Sequence, residues 1–419
     1  MLKAGSIYFA IFISLIVTIL LGSIMLLTGN SIHFEDMQIQ RDQIDANVNS
    51  GLIIALEDTS LLKFGEERKL KLYDLEDESD KVILRKSIWG IYGLIYSSES
   101  WNNYDARRII LYGTDPHSGE PIALYMADRG GYLSVSSLTS ITGLCYLPKL
   151  GIRTENINMQ NNTSDSVIKG EIKVSNPSLP SLNQQIIEAN SLYFKDTLLL
   201  SDSIVPFESL ARDDSIVQSF RNKSLLLVSN NAIMLNNITL KGNIRIVSSK
   251  AIYVAENVNA ENIILYAPSV FFNMNFCGCL QAFAQDTIVA GEGCKFQYPS
   301  CLGIINHNMN GTYLKVMKNS IVTGCVFIYQ QYNATNAPML EFDNGVVIQG
   351  PVYCPGKVQM DGRIDGSLYC QRFVMKTSNA YYEDFLLNAV IDHSRQSKYY
   401  AGGLLITGYS KGKEIEWLN

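Results

Sequence analysis

The pattern of apolar and polar positions changes twice along the chain. From Ile7 to Leu27 the run is apolar apart from Ser14, Thr18 and Ser23, and it carries no charge. At about 1.5 Å per residue, a helix of about 21 residues covers a hydrocarbon core roughly 30 Å thick. Hydroxyls inside such a helix can bond back to their own backbone, so three are tolerable. From Phe34 to Leu56 the apolar residues fall at Phe34, Met37, Ile44, Val48, Leu52 and Leu56. Gaps of three, four and seven mark one face of a helix. The pattern therefore predicts a transmembrane helix over 6–28 that continues as an amphipathic helix over 29–58. Gly29 and Asn30 are the weak point between them.

The second change comes at Glu67, where helical periodicity gives way to alternation. Lys69-Leu70-Lys71-Leu72-Tyr73-Asp74-Leu75 alternates as a half-buried strand does. Val82–Leu84, Ile88–Tyr96, Arg108–Tyr112 and Ile122–Met126 are further strands, punctuated by Gly65, Gly113-Thr114-Asp115-Pro116 and Gly130-Gly131. Residues 60–145 read as a small β-rich domain resting on the helix, and 146–223 as an irregular linker. Within the linker, Gln184 to Asp213 is the one stretch that suits a helix, and Pro206 would interrupt it.

Residues 224–376 repeat. Short apolar runs such as Leu225–Val228, Ile244–Val247, Ile263–Tyr266 and Ser320–Val322 alternate with Gly, Asn and Asp. Gly350-Pro351-Val352-Tyr353-Cys354 returns as Gly366-Ser367-Leu368-Tyr369-Cys370, and Gly324-Cys325-Val326-Phe327-Ile328-Tyr329 is a looser copy. Rungs of about 16–24 residues with glycine or asparagine corners suit a right-handed parallel β-helix, because those residues tolerate positive φ. A β-sandwich with one internal duplication is the competing reading. A solenoid end exposes strand edges, so 377–419 is expected as a cap. The fold class is then mainly β: an N-terminal helix, a small β-rich domain and a solenoid.

Charge adds orientation. Lys3 precedes the apolar run, and the first cation after it is Arg41, which puts the N-terminus in the cytoplasm and the bulk outside. A cleaved signal peptide is the alternative, but the apolar run is long for one and no A-x-A-like site follows it. Lys and Arg total 34 against 40 Asp and Glu, a net charge of −6 without basic blocks. That argues against a nucleic-acid partner.

Candidate chemistry is sparse. Of eight cysteines, seven lie in the repeat region. Cys277, Cys279, Cys294, Cys301, Cys354 and Cys370 are candidates either for disulfides or for a stacked buried column. The Cys277-Gly278-Cys279 spacing suits neither zinc nor a redox C-x-x-C, and His307 follows Cys301 at no ligand spacing, so no metal is expected. No nucleophile elbow, P-loop, dinucleotide fingerprint or H-E-x-x-H occurs, which predicts no cofactor and no enzyme. Asp361 and Asp365 could share one face of a strand, and Glu76-Asp77-Glu78-Ser79-Asp80 reads as a solvated acidic turn.

Two resemblances follow from these residues. The leader Met1-Leu2-Lys3-Ala4-Gly5, the apolar helix and the Gln40–Val48 segment resemble type IV pilin-like proteins, especially type II secretion minor pseudopilins. That resemblance implies cleavage after Gly5, leaving Ser6 as the new N-terminus. Major pilins carry Glu at the fifth mature position, where this chain has Ala10. The final rungs resemble bactofilins, polymer-forming β-helical proteins. Together they imply a single-pass, extracytoplasmic structural component of a secretion or surface-filament apparatus, with the membrane and other pilin-like or envelope proteins as partners. The alternative is a signal-anchored β-helix that binds or cleaves carbohydrate, with a glycan as its ligand.

Overall fold

The computed structural model describes residues 4–72, 81–102, 104–136, 139–154, 167–195, 203–210, 215–331, 336–376, 380–409 and 411–418. The chain is mainly β behind one long apolar helix. Helix α1 spans Ala4–Glu57 without a break at Gly29 or Asn30. Ser14, Thr18 and Ser23 donate to the carbonyls of Ile11, Ser14 and Ile19, each at 2.8 Å, so the hydroxyls are satisfied within the helix.

Only the last third of α1 meets the rest of the protein. Ile44, Asn47, Val48, Gly51, Leu52 and Ala55 are buried, three or four residues apart, while Phe34 remains 70% exposed. The expected docking face thus begins at Ile44 and not at Phe34. The reason lies in the sheet that receives it: Trp101 and Tyr104 pack against Ile44 and Val48, and Arg41 lies over the Tyr104 ring at 5.4 Å.

That sheet is antiparallel, with β1 (Glu67–Lys71), β2 (Lys81–Trp89), β3 (Tyr92–Trp101) and β4 (Tyr104–Thr114) in sequence order. The C-terminal strand Gly412–Leu418 completes it beside β4. Val82, Leu84, Ile95 and Ile110 face α1 and form one apolar cluster with Leu52 and Ala55. Gly51 allows the close approach, since a Cβ there would lie 2.9 Å from Val82 Cγ1.

Most of the remaining strands form one long stack with almost wholly parallel pairing, and Phe385–Leu387, Leu133–Ser136 and Ile152–Thr154 form a separate three-stranded parallel sheet. One inward column shows its register: Val205, Leu227, Ile246, Leu265, Ala282, Leu302, Val326, Val352, Leu368, Leu124, Cys145 and Ile172 are successive partners. At about 4.8 Å per strand, the stack is roughly 50 Å long. Every column member from Leu227 to Cys145 is buried. The glycine corners also stack: Gly350 has φ +144° and a Cβ on it would collide with the Gly324 carbonyl.

Three expected boundaries change. The 60–145 segment is divided, because Ile122–Met126 and Leu144–Leu147 belong to the stack and not to the sheet on α1. The 146–223 linker is partly regular: Ile172–Val174 ends the stack on one side, and Ser203–Pro206 ends it on the other. The 377–419 segment does not simply cap an end. Val390–Asp392 pairs with Ser140–Thr142 inside the stack, and Gly412–Leu418 leaves for the other sheet. The chain therefore enters the stack in its interior, runs to one end, crosses back and winds from the other end until Leu368–Cys370 meets Leu124–Met126.

The crossover is where the expected helix lies, shortened to α2 (Gln184–Ser191). Asn183 caps it by accepting from the Gln185 amide at 3.1 Å. Residues 195 and 203 bracket its far side, and Pro206 sits in the edge strand Ser203–Pro206, where its missing N–H harms no ladder.

Candidate functional site

Two features carry functional meaning: the uncovered part of α1 and the buried interior of the stack. From Ile7 to Leu27 the apolar side chains of α1 point to no protein neighbour. Phe9, Ile16 and Leu27 are 69%, 41% and 69% exposed, and an 18-residue window of the helix has mean hydropathy 2.8 with nothing buried. By length and composition this helix can cross a membrane. Gly5 and Ser6 both lie within the helix and are exposed.

Where α1 docks, polar contacts fix its register. Ser97 Oγ donates to the Val48 carbonyl at 2.8 Å. Asn47 Nδ2 donates to Glu99 Oε1 at 3.3 Å, and Asn47 Oδ1 accepts from Gln43 Nε2 at 2.9 Å. Asp45 accepts from Tyr104 OH at 3.0 Å and from Arg108 at 3.2 Å. Beyond the helix end, Lys86 is almost wholly buried. Its ammonium donates to the Thr59 carbonyl at 2.8 Å and lies over the rings of Phe64 and Tyr112. Burial lowers its pKa from the usual lysine range.

The cysteines are all free thiols. Cys301 and Cys325 are direct partners in neighbouring strands, as are Cys354 and Cys370. Cys277 is exposed, and the other seven are buried. Burial pushes the thiols of Cys279 and Cys354 up to about 12 and that of Cys294 up to about 11. Cys301 is raised by its burial and by the adjacent Cys325. Such thiols are nearly all protonated at neutral pH and chemically quiet.

The carboxylates singled out from sequence are held apart in separate contacts. Asp361 accepts from Asn344, and Asp365 pairs with Arg363 at 3.1 Å. Glu76–Asp80 lies outside the described residues. Among the described residues, no group of three or more His, Cys, Asp or Glu side chains could hold a metal.

Sequence reasoning missed an aromatic column beside the aliphatic one. Tyr266, Phe283, Phe327, Tyr353, Tyr369, Tyr125 and Tyr146 each follow a member of the inward column by one residue. They point to the opposite side of the strands, as alternation requires. Neighbouring rings lie close, at 5.3 Å for Tyr266–Phe283 and 5.1 Å for Tyr125–Tyr146. Gly303 occupies this column because a Cβ would run into the Phe327 ring. The crossover covers the column: Tyr193 stacks on Tyr266 at 4.6 Å, Asn190 accepts from Tyr266 OH, and the Pro180 carbonyl accepts from Tyr353 OH. The recurrent aliphatic–aromatic dyad was the available signal.

Comparison with protein-family models and with curated proteins gives no match. Among solved structures, the chain is similar to the crystal structure of the competence-associated pilin ComZ from Thermus thermophilus. The identity is 9% and the TM-score 0.24, over 85% of this chain and 88% of that one. A likeness of that size settles neither fold nor activity.

Proposed function

We propose that the chain is a membrane-anchored, extracytoplasmic structural protein of pilin-like type, a minor component of a secretion or surface-filament apparatus. One observation carries the reading: a single continuous helix is apolar and uncovered over its first part and packed on a sheet over its last. The bilayer would hold Ile7–Leu27. The exposed stretch 28–43 would add a stalk of about 24 Å before Ile44 engages the sheet. In this reading the stack is wound as a right-handed parallel β-helix and projects outward as a spacer or tip. Its in-register parallel pairing and stacked glycine corners favour that winding. The bactofilin resemblance enters as architecture alone, and the role is non-catalytic.

The pilin-like part rests on cleavage between Gly5 and Ser6 and on partnership with other pilin-like or envelope proteins. Intact-mass and N-terminal peptide measurement of the chain from its native membrane fraction tests it. A chain starting at Ser6 is expected. A chain that retains Met1 through Gly5 would overturn the pilin-like assignment and leave an anchored β-rich protein.

A further inference from the structure

We propose that the cleft between the antiparallel sheet and the Ser219–Asn222 turn of the stack is an oxyanion site that takes a phosphate group through Arg85, Arg107 and Arg221. Strand alternation places Arg85, Tyr96, Ser98 and Arg107 on the face of the sheet that α1 does not cover, with Arg85 opposite Tyr96 and Ser98 opposite Arg107. Arg221 approaches this face from the stack and lines the same cavity, whose volume is about 330 Å³.

Arg85 and Arg107 each have a carboxylate-bearing neighbour, Glu67 opposite Arg85 in the sheet and Asp105 beside Arg107. Arg85 lies 4.3 Å above the Tyr96 ring, which orders its plane without engaging its donors. Among the described residues, neither Arg85 nor Arg221 has a carboxylate within ion-pair distance. Arg107 pairs with Asp105 at 2.7 Å, but both side chains are largely exposed, at 60% and 44%, so that contact is readily exchanged. Arg108 also borders the cleft and is committed to Asp45. Glu67 is the one carboxylate among the lining residues. In a chain of net charge −6, this is a local reversal of sign.

The chemistry selects the ligand. Each guanidinium offers a planar fork of donors that fits two oxygens of a phosphate. Three forks arriving from two sheet strands and a facing turn suit a tetrahedral dianion better than a flat carboxylate. The Ser98 hydroxyl adds a donor on the same face. The phosphate could be free or carried on a polymer, and the cleft is open to both.

The test uses the full chain in detergent micelles, titrated with inorganic phosphate against chloride at constant ionic strength and read by calorimetry. Saturable binding is expected. Arg85→Ala and Arg221→Ala should each weaken it about tenfold, Arg85→Lys should recover part of the loss, and Arg129→Ala at a distant exposed turn should change nothing. A polyphosphate arm separates the sources: tighter binding per phosphate than the free ion marks a polymer ligand, and equal binding marks the free ion. Circular dichroism confirms that the variants fold. Heats indistinguishable from chloride, or binding that survives a folded Arg85→Ala/Arg221→Ala double variant, would overturn the proposal.

Discussion

The first part of α1 and the inward column of the stack are made of the same residue types in opposite surroundings. Ile16 and Leu20 are 41% and 56% exposed, whereas Leu265, Leu302 and Val326 are fully buried. Residue chemistry alone does not distinguish them; the neighbours do. A strand in a parallel stack finds its apolar partner one rung away, so the column buries itself. A lone helix has no such neighbour over Ile7–Leu27, and its side chains need a solvent other than water. The contrast teaches that the stack is stable by its own packing, while the helix is specified for an environment outside the chain.

The contrast can be broken most forcefully inside the column. Leu302→Ala should destabilise the fold by about 2–5 kcal/mol in chemical denaturation, because the rungs on either side cannot close the gap. Gly303→Val should cost about 1–3 kcal/mol by forcing a side chain into the space of Phe283 and Phe327. A smaller loss, about 1–2 kcal/mol, is expected for Asn47→Ala, which removes the buried contact to Glu99 and loosens the docked part of α1. At the other extreme, Ile16→Ala should shift unfolding by less than about 0.5 kcal/mol, since that side chain touches no part of the fold. Substituting Asp at Ile16 should leave the unfolding curve equally unmoved and yet release the chain from membranes on alkaline extraction. If Ile16→Ala proved as costly as Leu302→Ala, the two regions would share a common packing environment and the contrast would fail.

The ends of the chain's logic were legible at different depths. The apolar run and the helical face at Ile44, Val48 and Leu52 were plain, because a 3.6-residue period depends only on local spacing. The Val352–Cys354 and Leu368–Cys370 repeat was plain as well, since adjacent rungs with no insertion keep the same spacing. The looser copy at Gly324–Tyr329 was legible too, and Val326 does pair with Val352, but the step spans 26 residues, beyond the 16–24 expected. The pairing of Leu368 with Leu124 was out of reach, because a contact between segments so far apart leaves no period to read. The same holds for Gly412–Leu418, which the sequence assigns to the cap and which finds β4 only in three dimensions. Disulfides and a stacked column are the two readings the sequence leaves open for the cysteines, and the register makes Cys301 a direct neighbour of Cys325 and Cys354 of Cys370. The arginine cleft could not be read, since Arg85, Arg107 and Arg221 converge only when a sheet meets a turn of the stack.

Cys277 supplies the most direct test of the proposal that the stack is membrane-anchored and faces outward, because it is the exposed thiol and the other seven are buried. Right-side-out membrane vesicles carrying the native chain would be treated at pH 8 with a membrane-impermeant maleimide, and the labelled peptide identified by mass spectrometry. The expected result is labelling of Cys277 before any permeabilisation, with the buried thiols modified only after denaturation. Labelling of Cys277 only after the membrane is opened, or recovery of the chain in the soluble fraction, would contradict it.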